Sequence, residues 1–161
     1  MAVKLREMTE GEFQRFYRWS LENQTRELMA QLHLSREAAE QSAEKELAEM
    51  LPEGLCTEHN HLLTILEEEE SVGFVWLLYE EFEGRKQSFI CDFALWEASR
   101  GKGYGVAAMQ LAEELAAKDG CRESVLFVAD DNLAARALYS KCGYRVLRQK
   151  DYGKFMVKPL G

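Results

Sequence analysis

Apolar and charged residues alternate over residues 3–8, the period of a half-buried strand. The period then changes. Thr9 stands where a helix cap belongs, and Phe13, Phe16 and Tyr17 share one face of a helix starting near Glu10. Ser35 repeats the signal and opens a second helix toward Met50. Leu47 and Leu51 carry its apolar stripe, and Pro52 with Gly54 ends it. Strand-like runs come next, at 61–66 and 72–79. They flank the glutamates Glu67 to Glu70 and read as a hairpin with a solvated acidic turn. Residues 87–95 form the next strand. Helical spacing returns at Ala108, Leu111, Ala112 and Leu115, which predicts a helix over 106–118 closed by Asp119-Gly120. An apolar strand at 124–129 comes after it. Asp130-Asp131-Asn132 then offers caps for a helix ending at Cys142-Gly143, and two last strands lie at 144–147 and 154–158. The pattern is α/β with a mostly antiparallel opening meander, and neither repeat nor linker divides it. A single domain over residues 1–161 is expected, a length that supports a sizeable core.

Composition narrows the classes. No apolar run approaches the roughly 18 residues of a membrane span, and the N-terminus has no secretory apolar core. A cytoplasmic protein without a membrane partner is expected. Cys56, Cys91, Cys121 and Cys142 form no Cys-x-x-Cys pair, as expected for free thiols in a reducing compartment. The formal net charge of −8 argues against nucleic acid and is compatible with a cationic substrate. Locally the balance reverses at Arg100, Lys102, Arg136 and Lys141, which suits a phosphate-bearing ligand.

Arg100 and Lys102 belong to a distinctive run. Residues 100–105 read Arg-Gly-Lys-Gly-Tyr-Gly, between a strand and a helix. Glycine lacks a Cβ, so a ligand can approach its N–H closely. The first turn of a helix carries N–H groups without internal partners, and its dipole favours an anion. Strand, Gly-rich turn and helix together make a pyrophosphate site, although such turns also serve simply to reverse the chain. Downstream, Asn132 and Tyr139 are seven residues apart and share one helix face.

With both motifs in place, the chain resembles the GNAT superfamily of N-acetyltransferases. The superfamily's signature is Arg or Gln, two residues, Gly, one residue, then Gly or Ala. Arg100, Gly103 and Gly105 match it. Its Asn, Ala, Leu-Tyr and Gly-Phe/Tyr positions are matched by Asn132, Ala135, Leu138-Tyr139 and Gly143-Tyr144. The joint match covers residues 89–144. Residues 51–62 and 89–93 look like the YycN-type bacterial members, which gives no substrate. The resemblance implies a mixed six- or seven-stranded sheet with helices on both faces. Its fourth and fifth strands, here 87–95 and 124–129, would splay apart around acetyl-CoA. Backbone groups near Ala94 and Leu95 would pair with the pantetheine arm. N–H groups of Arg100, Gly101, Lys102, Gly103, Tyr104, Gly105 and Val106 would hold the pyrophosphate, with charge from Arg100 and Lys102. Asn132 and Tyr139 would line the same cofactor.

The implied reaction is direct attack of a primary amine on the thioester. The amine must be neutral, although a free alkylamine has a pKa of about 10. The oxyanion needs a donor, such as a strand N–H. The leaving thiolate needs little help, because a thiol has a pKa of about 8.5. By position, Tyr139 is the candidate to protonate that thiolate, or else it packs against cofactor or core. Asp92 could take the amine proton, hold a substrate cation or act as a structural acceptor. Glu80 and Glu81 fit a solvated strand end better.

No metal is expected. His59 and His61 straddle Asn60 without an identifiable third ligand. Cys91 fits a small strand thiol better than an acyl carrier. Phe74, Trp76 and Trp96 fit core or pocket wall. The acceptor is expected to be a small-molecule or peptide amine, and exposed edge strands would permit a homodimer. Alternatives are a non-catalytic acetyl-CoA-binding regulatory module, a longer acyl donor, an alcohol acceptor or an unrelated nucleotide enzyme. Against the last, the loop lacks the Gly-Lys-Ser/Thr ending of a P-loop.

Overall fold

The strand-like stretches all become strands of one sheet. The computed structural model describes residues 2–161. Its strands are β1 (Val3–Glu7), β2 (Asn60–Glu67), β3 (Glu70–Phe82), β4 (Arg85–Leu95), β5 (Glu123–Ala129), β6 (Arg145–Lys150) and β7 (Gly153–Pro159). They lie in the order β1-β2-β3-β4-β5-β7-β6. β4 and β5 run parallel, whereas β1–β2, β3–β4, β5–β7 and β6–β7 are antiparallel. The four helices are α1 (Glu10–Leu32), α2 (Arg36–Met50), α3 (Tyr104–Lys118) and α4 (Leu133–Lys141). Among the described residues no helix is long and apolar enough to cross a membrane.

Two compact units can be described, Met8–Asn60 and residues 2–7 with His61–Gly161. In the first, α1 opens on a reciprocal cap. The Thr9 hydroxyl accepts from the Glu12 N–H (3.2 Å), and the Glu12 carboxylate accepts from the Thr9 N–H (2.8 Å). The Ser35 hydroxyl caps α2 by accepting from the Ala38 N–H. Leu28 of α1 packs with Ala39 and Ala43 of α2, and Arg36 bridges Glu22 and Glu40.

In the second unit, α3 lies on the sheet. Met109, Ala112 and Ala116 share a core with Val75, Leu77, Ile90, Leu126, Val128 and Met156. Each large side chain removed from water there contributes roughly 1.5–3 kcal/mol. α3 begins at Tyr104, two residues before the expected Val106. Gly103, at φ 85°, turns the chain into the helix, and low-propensity Tyr104 and Gly105 form its first turn.

β4 departs from a regular strand in two ways. Its pairing with β5 runs from Gln87↔Glu123 to Ile90↔Leu126 and ends there. Beyond that point β4 stays on β3 as far as Leu95↔Gly73, and β5 stays on β7 as far as Ala129↔Gly153. The sheet is therefore split between Cys91–Leu95 and Phe127–Ala129. Second, β4 is bulged. Leu77 pairs with Ile90 but Trp76 pairs with Asp92, which leaves Cys91 as the extra residue. The two-residue alternation of a regular strand is thereby reset, and Ile90 and Phe93, three apart, meet the same core.

Candidate active site

The split is lined from three directions. Gly105, in the first turn of α3, is buried. A Cβ built on it would stand 3.5 Å from Leu138 of α4 and 3.8 Å from Leu95 of β4. The helix start, α4 and the end of β4 therefore converge on a residue with no side chain. Gly101 (φ 76°) and Gly103 (φ 85°) both occupy left-handed backbone that other residues adopt only with strain. No side chain caps α3. Its first carbonyl-to-amide bond joins Gly103 to Ala107, so the N–H groups of Tyr104, Gly105 and Val106 precede any partner one turn back. This is an anion-binding end in the physical sense, with donors aligned along the positive pole of the helix.

The other loop residues divide by role. The Arg100 Nε donates to the Leu95 carbonyl (3.2 Å), tying the loop back to β4, and Lys102 is exposed. The Trp96 N–H bonds the Val72 carbonyl, and the Ala94 carbonyl faces Gly73 so closely that a Cβ there would lie 2.2 Å from it. Peptide groups alternate along a strand. Ala94 thus presents its backbone to β3, whereas Leu95 and Phe93 present theirs to the split.

On the far side, the Asn132 side chain caps α4 by accepting from the Ala135 N–H (3.2 Å). Asp130 is instead engaged by Lys154 and Gln149, bonds that hold its carboxyl below the usual range. Tyr139 is buried on α4, with its ring edge-on to Tyr144 at 6.0 Å between centroids. Burial pushes its phenol well above the ordinary range, and the neighbouring Asp92 charge pushes in the same direction. Asp92 and Tyr139, on separate elements, therefore share one electrostatic environment. One Asp92 oxygen accepts from the Phe93 N–H at 3.0 Å.

Other candidates lie elsewhere. Glu80 pairs with Gln87 at the closed end of β4, where its carboxylate accepts from the Gln87 amide. His59 is exposed beside Glu58, while the His61 ring packs tilted against Tyr79 (4.1 Å between centroids). Among the described residues no group of His, Cys, Asp or Glu gathers as a metal site. Burial raises the Cys91 thiol far out of the nucleophilic range, with help from Asp92 and Glu80. Phe74 and Trp76 are buried, and the Trp96 ring packs tilted against Phe74 while its N–H donates to Ser71.

A parallel strand pair that splits beside an uncapped helix start can be compared with known proteins. The acetyltransferase (GNAT) family model matches residues 13–144. This chain belongs to the GNAT acetyltransferase family. Among its GNAT relatives are two N-acetyltransferases of Bacillus subtilis. YycN is 31% identical over 146 residues, covering 90% of this chain and 94% of the relative. YdgE is 32% identical over 145 residues, covering 89% and 92%. The crystal structure of YycN superposes with a TM-score of 0.84 at 30% identity, over 92% of this chain and 98% of that one. The spermidine N-acetyltransferase of Vibrio cholerae, solved with CoA and spermine, shares the GNAT fold with a TM-score of 0.69. It is 16% identical, over 98% of this chain and 95% of its own.

Two features in and beside this candidate site were not legible from sequence. The Phe93 peptide is exposed to the split only because the bulge at Cys91 resets the strand, and a bulge depends on the partner strand. Ser124 bonds the Tyr144 hydroxyl (2.7 Å), a pairing between positions twenty apart that has no local pattern.

Proposed function

We propose that this chain is an acetyl-CoA-dependent N-acetyltransferase that moves an acetyl group to a primary amine by direct attack. The observation that carries the reading is the β4–β5 split, which opens where Asp92, Tyr139, the Leu95 peptide and the uncapped start of α3 converge. Acetyl-CoA fits these residues chemically. Backbone donors at Gly101, Lys102, Gly103, Tyr104, Gly105 and Val106 would hold its pyrophosphate, with Arg100 and Lys102 adding charge. Leu95 would pair with the pantetheine arm, Ala94 would back it through packing, and Asn132 and Tyr139 would line it from α4. When bound, acetyl-CoA supplies an acyl thioester already activated toward amines.

The chain's own groups manage protons and charge. Asp92 accepts the amine proton, directly or through a water, its carboxylate being oriented by the Phe93 N–H. A peptide N–H of β4 facing the split donates to the developing oxyanion. The Tyr139 Oη stays protonated and donates to the departing sulfur. Because the phenol lies above about 10 and a thiol near 8.5, complete transfer is uphill by at least about 2 kcal/mol. Tyr139 therefore works first as a hydrogen-bond donor.

The net negative charge supports a cationic acceptor, either a small molecule or a peptide amine. The test is thiol release from acetyl-CoA with spermidine, spermine, lysine, an amino sugar and a peptide N-terminus, followed by mass identification of the product. Amine-dependent release with acetylated product supports the reading. Tight acetyl-CoA binding without release on any amine would favour a regulatory module.

A further inference from the structure

Behind Tyr139 lies a polar cluster that the transfer itself does not use. Ser88 of β4, Ser124 of β5 and Lys158 of β7 are in register across three strands. Residues paired across a sheet point to the same face. Ser124 shares its face with Leu126, which packs in one core with Met109 and Ala112 of α3. The three polar side chains thus form a row beneath α3.

The row is tied to both helices. The Lys158 ammonium donates to Glu113 Oε1 on α3 (2.7 Å) and to the Cys142 carbonyl at the end of α4 (2.7 Å). The Ser124 and Tyr144 hydroxyls are bonded at 2.7 Å, and the Tyr144 ring meets Tyr139 edge-on. Burial keeps the Tyr144 phenol protonated; the Ser124 bond opposes this and the Glu113 charge reinforces it. Glu113 lies beside the Tyr144 phenol. Glu113 Oε2 and Ser88 Oγ are buried without a partner among the described residues.

A buried network left partly unsatisfied costs stability that apolar side chains in the same row would not. What it supplies is direction. The Ser124 bond holds the Tyr144 ring at its far end, and the Lys158 bond holds α4 three residues beyond Tyr139.

We propose that Tyr144 is a positioning residue for Tyr139, held by Ser124 and by the Glu113–Lys158 pair, so that the Tyr139 phenol meets the split in one orientation. The kinetic consequence rests on Tyr139 being the proton donor; the structural consequence does not.

The test uses the full chain with carbon-13-labelled tyrosine, the Tyr139 ring resonance being assigned by its loss in Tyr139→Phe. In Tyr144→Phe and in Ser124→Ala that resonance is expected to broaden or split, and Ser124→Thr is expected to restore it. Ser124→Ala removes the same bond from the other side, so the idea remains testable if Tyr144→Phe does not fold. A single sharp, unshifted Tyr139 resonance in a folded variant overturns positioning.

A kinetic arm uses the fastest amine among spermidine, spermine, lysine, the amino sugar and the peptide. Tyr144→Phe should lower kcat about tenfold in the native background, with little change in the KM for acetyl-CoA, and should cost nothing further in Tyr139→Phe. An equal loss in both backgrounds overturns the proposal. Native turnover in Tyr139→Phe beside a broadened resonance would remove the proton-donor reading and leave positioning standing.

Discussion

Tyr139 is buried on α4 and held protonated by its surroundings, so its phenol keeps a proton to donate at neutral pH. Tyr139→Phe removes that donor and keeps the ring. It should lower kcat by roughly a hundredfold and leave acetyl-CoA affinity nearly unchanged, as read by steady-state kinetics and calorimetric titration. The direction of the shift adds a pH expectation. A phenol raised above its ordinary value of about 10 does not ionise below that pH. The rate should therefore show no loss attributable to Tyr139 up to about pH 10. Gly73 offers a second residue-level test. An alanine Cβ would collide with the Ala94 carbonyl and with the Leu95 Cα at 2.9 Å, both backbone atoms that cannot swing aside. Gly73→Ala should cost about 1–3 kcal/mol in chemical denaturation. It should also weaken acetyl-CoA binding, because the displaced segment carries Leu95.

At the scale of elements, the capping box that opens α1 can be removed cleanly. Thr9→Ala deletes the acceptor for the Glu12 N–H and should destabilise the protein by about 1 kcal/mol in denaturant titration. Such local devices are also why much of the fold is legible in the sequence. Thr9 and Ser35 cap the helices expected of them, and the strand-like runs at 61–66, 72–79 and 87–95 are strands. The glycine run and Asn132 stand where the motif spacing puts them, on the turn into α3 and at the cap of α4. What the pattern could not carry is set between elements. The bulge at Cys91 comes from the register against β3, and the end of β4–β5 pairing comes from where two strands diverge. β6 runs past its expected end to Lys150, since all six of its residues are exposed and no apolar alternation marks its limit. The start of α3 is hidden by Gly105, a poor helix former that lies buried near Leu95 and Leu138.

Across the whole molecule, charge and buried phenols set the response to solution conditions. Residues 133–161 hold seven Lys or Arg against one Asp, although the chain carries −8 overall. α4 therefore sits in a basic segment of an acidic protein, which favours an anionic ligand near it. Tyr139 and Tyr144 have folded pKa values raised by burial above the unfolded value of about 10. Groups shifted in that direction contribute stability fully below the unfolded pKa, and the contribution is lost as pH rises through the folded one. Thermal melts should hold steady from neutrality to about pH 8.5, decline as the thiol of Cys91 ionises in the unfolded chain, and fall more steeply above about pH 10, the steeper part being shallower in Tyr144→Phe. A melting temperature that declines just as steeply in that variant would assign alkaline unfolding to other groups.

The central claim is that the split in the sheet, together with the start of α3, receives acetyl-CoA. Amide hydrogen exchange with and without acetyl-CoA tests it most directly. Exchange should slow at Leu95 and across residues 101–106, while residues 87–90, already paired with β5, stay unchanged. Unaltered exchange at Leu95 and residues 101–106 under saturating acetyl-CoA, with protection appearing instead on a distant element such as β6, would contradict the account.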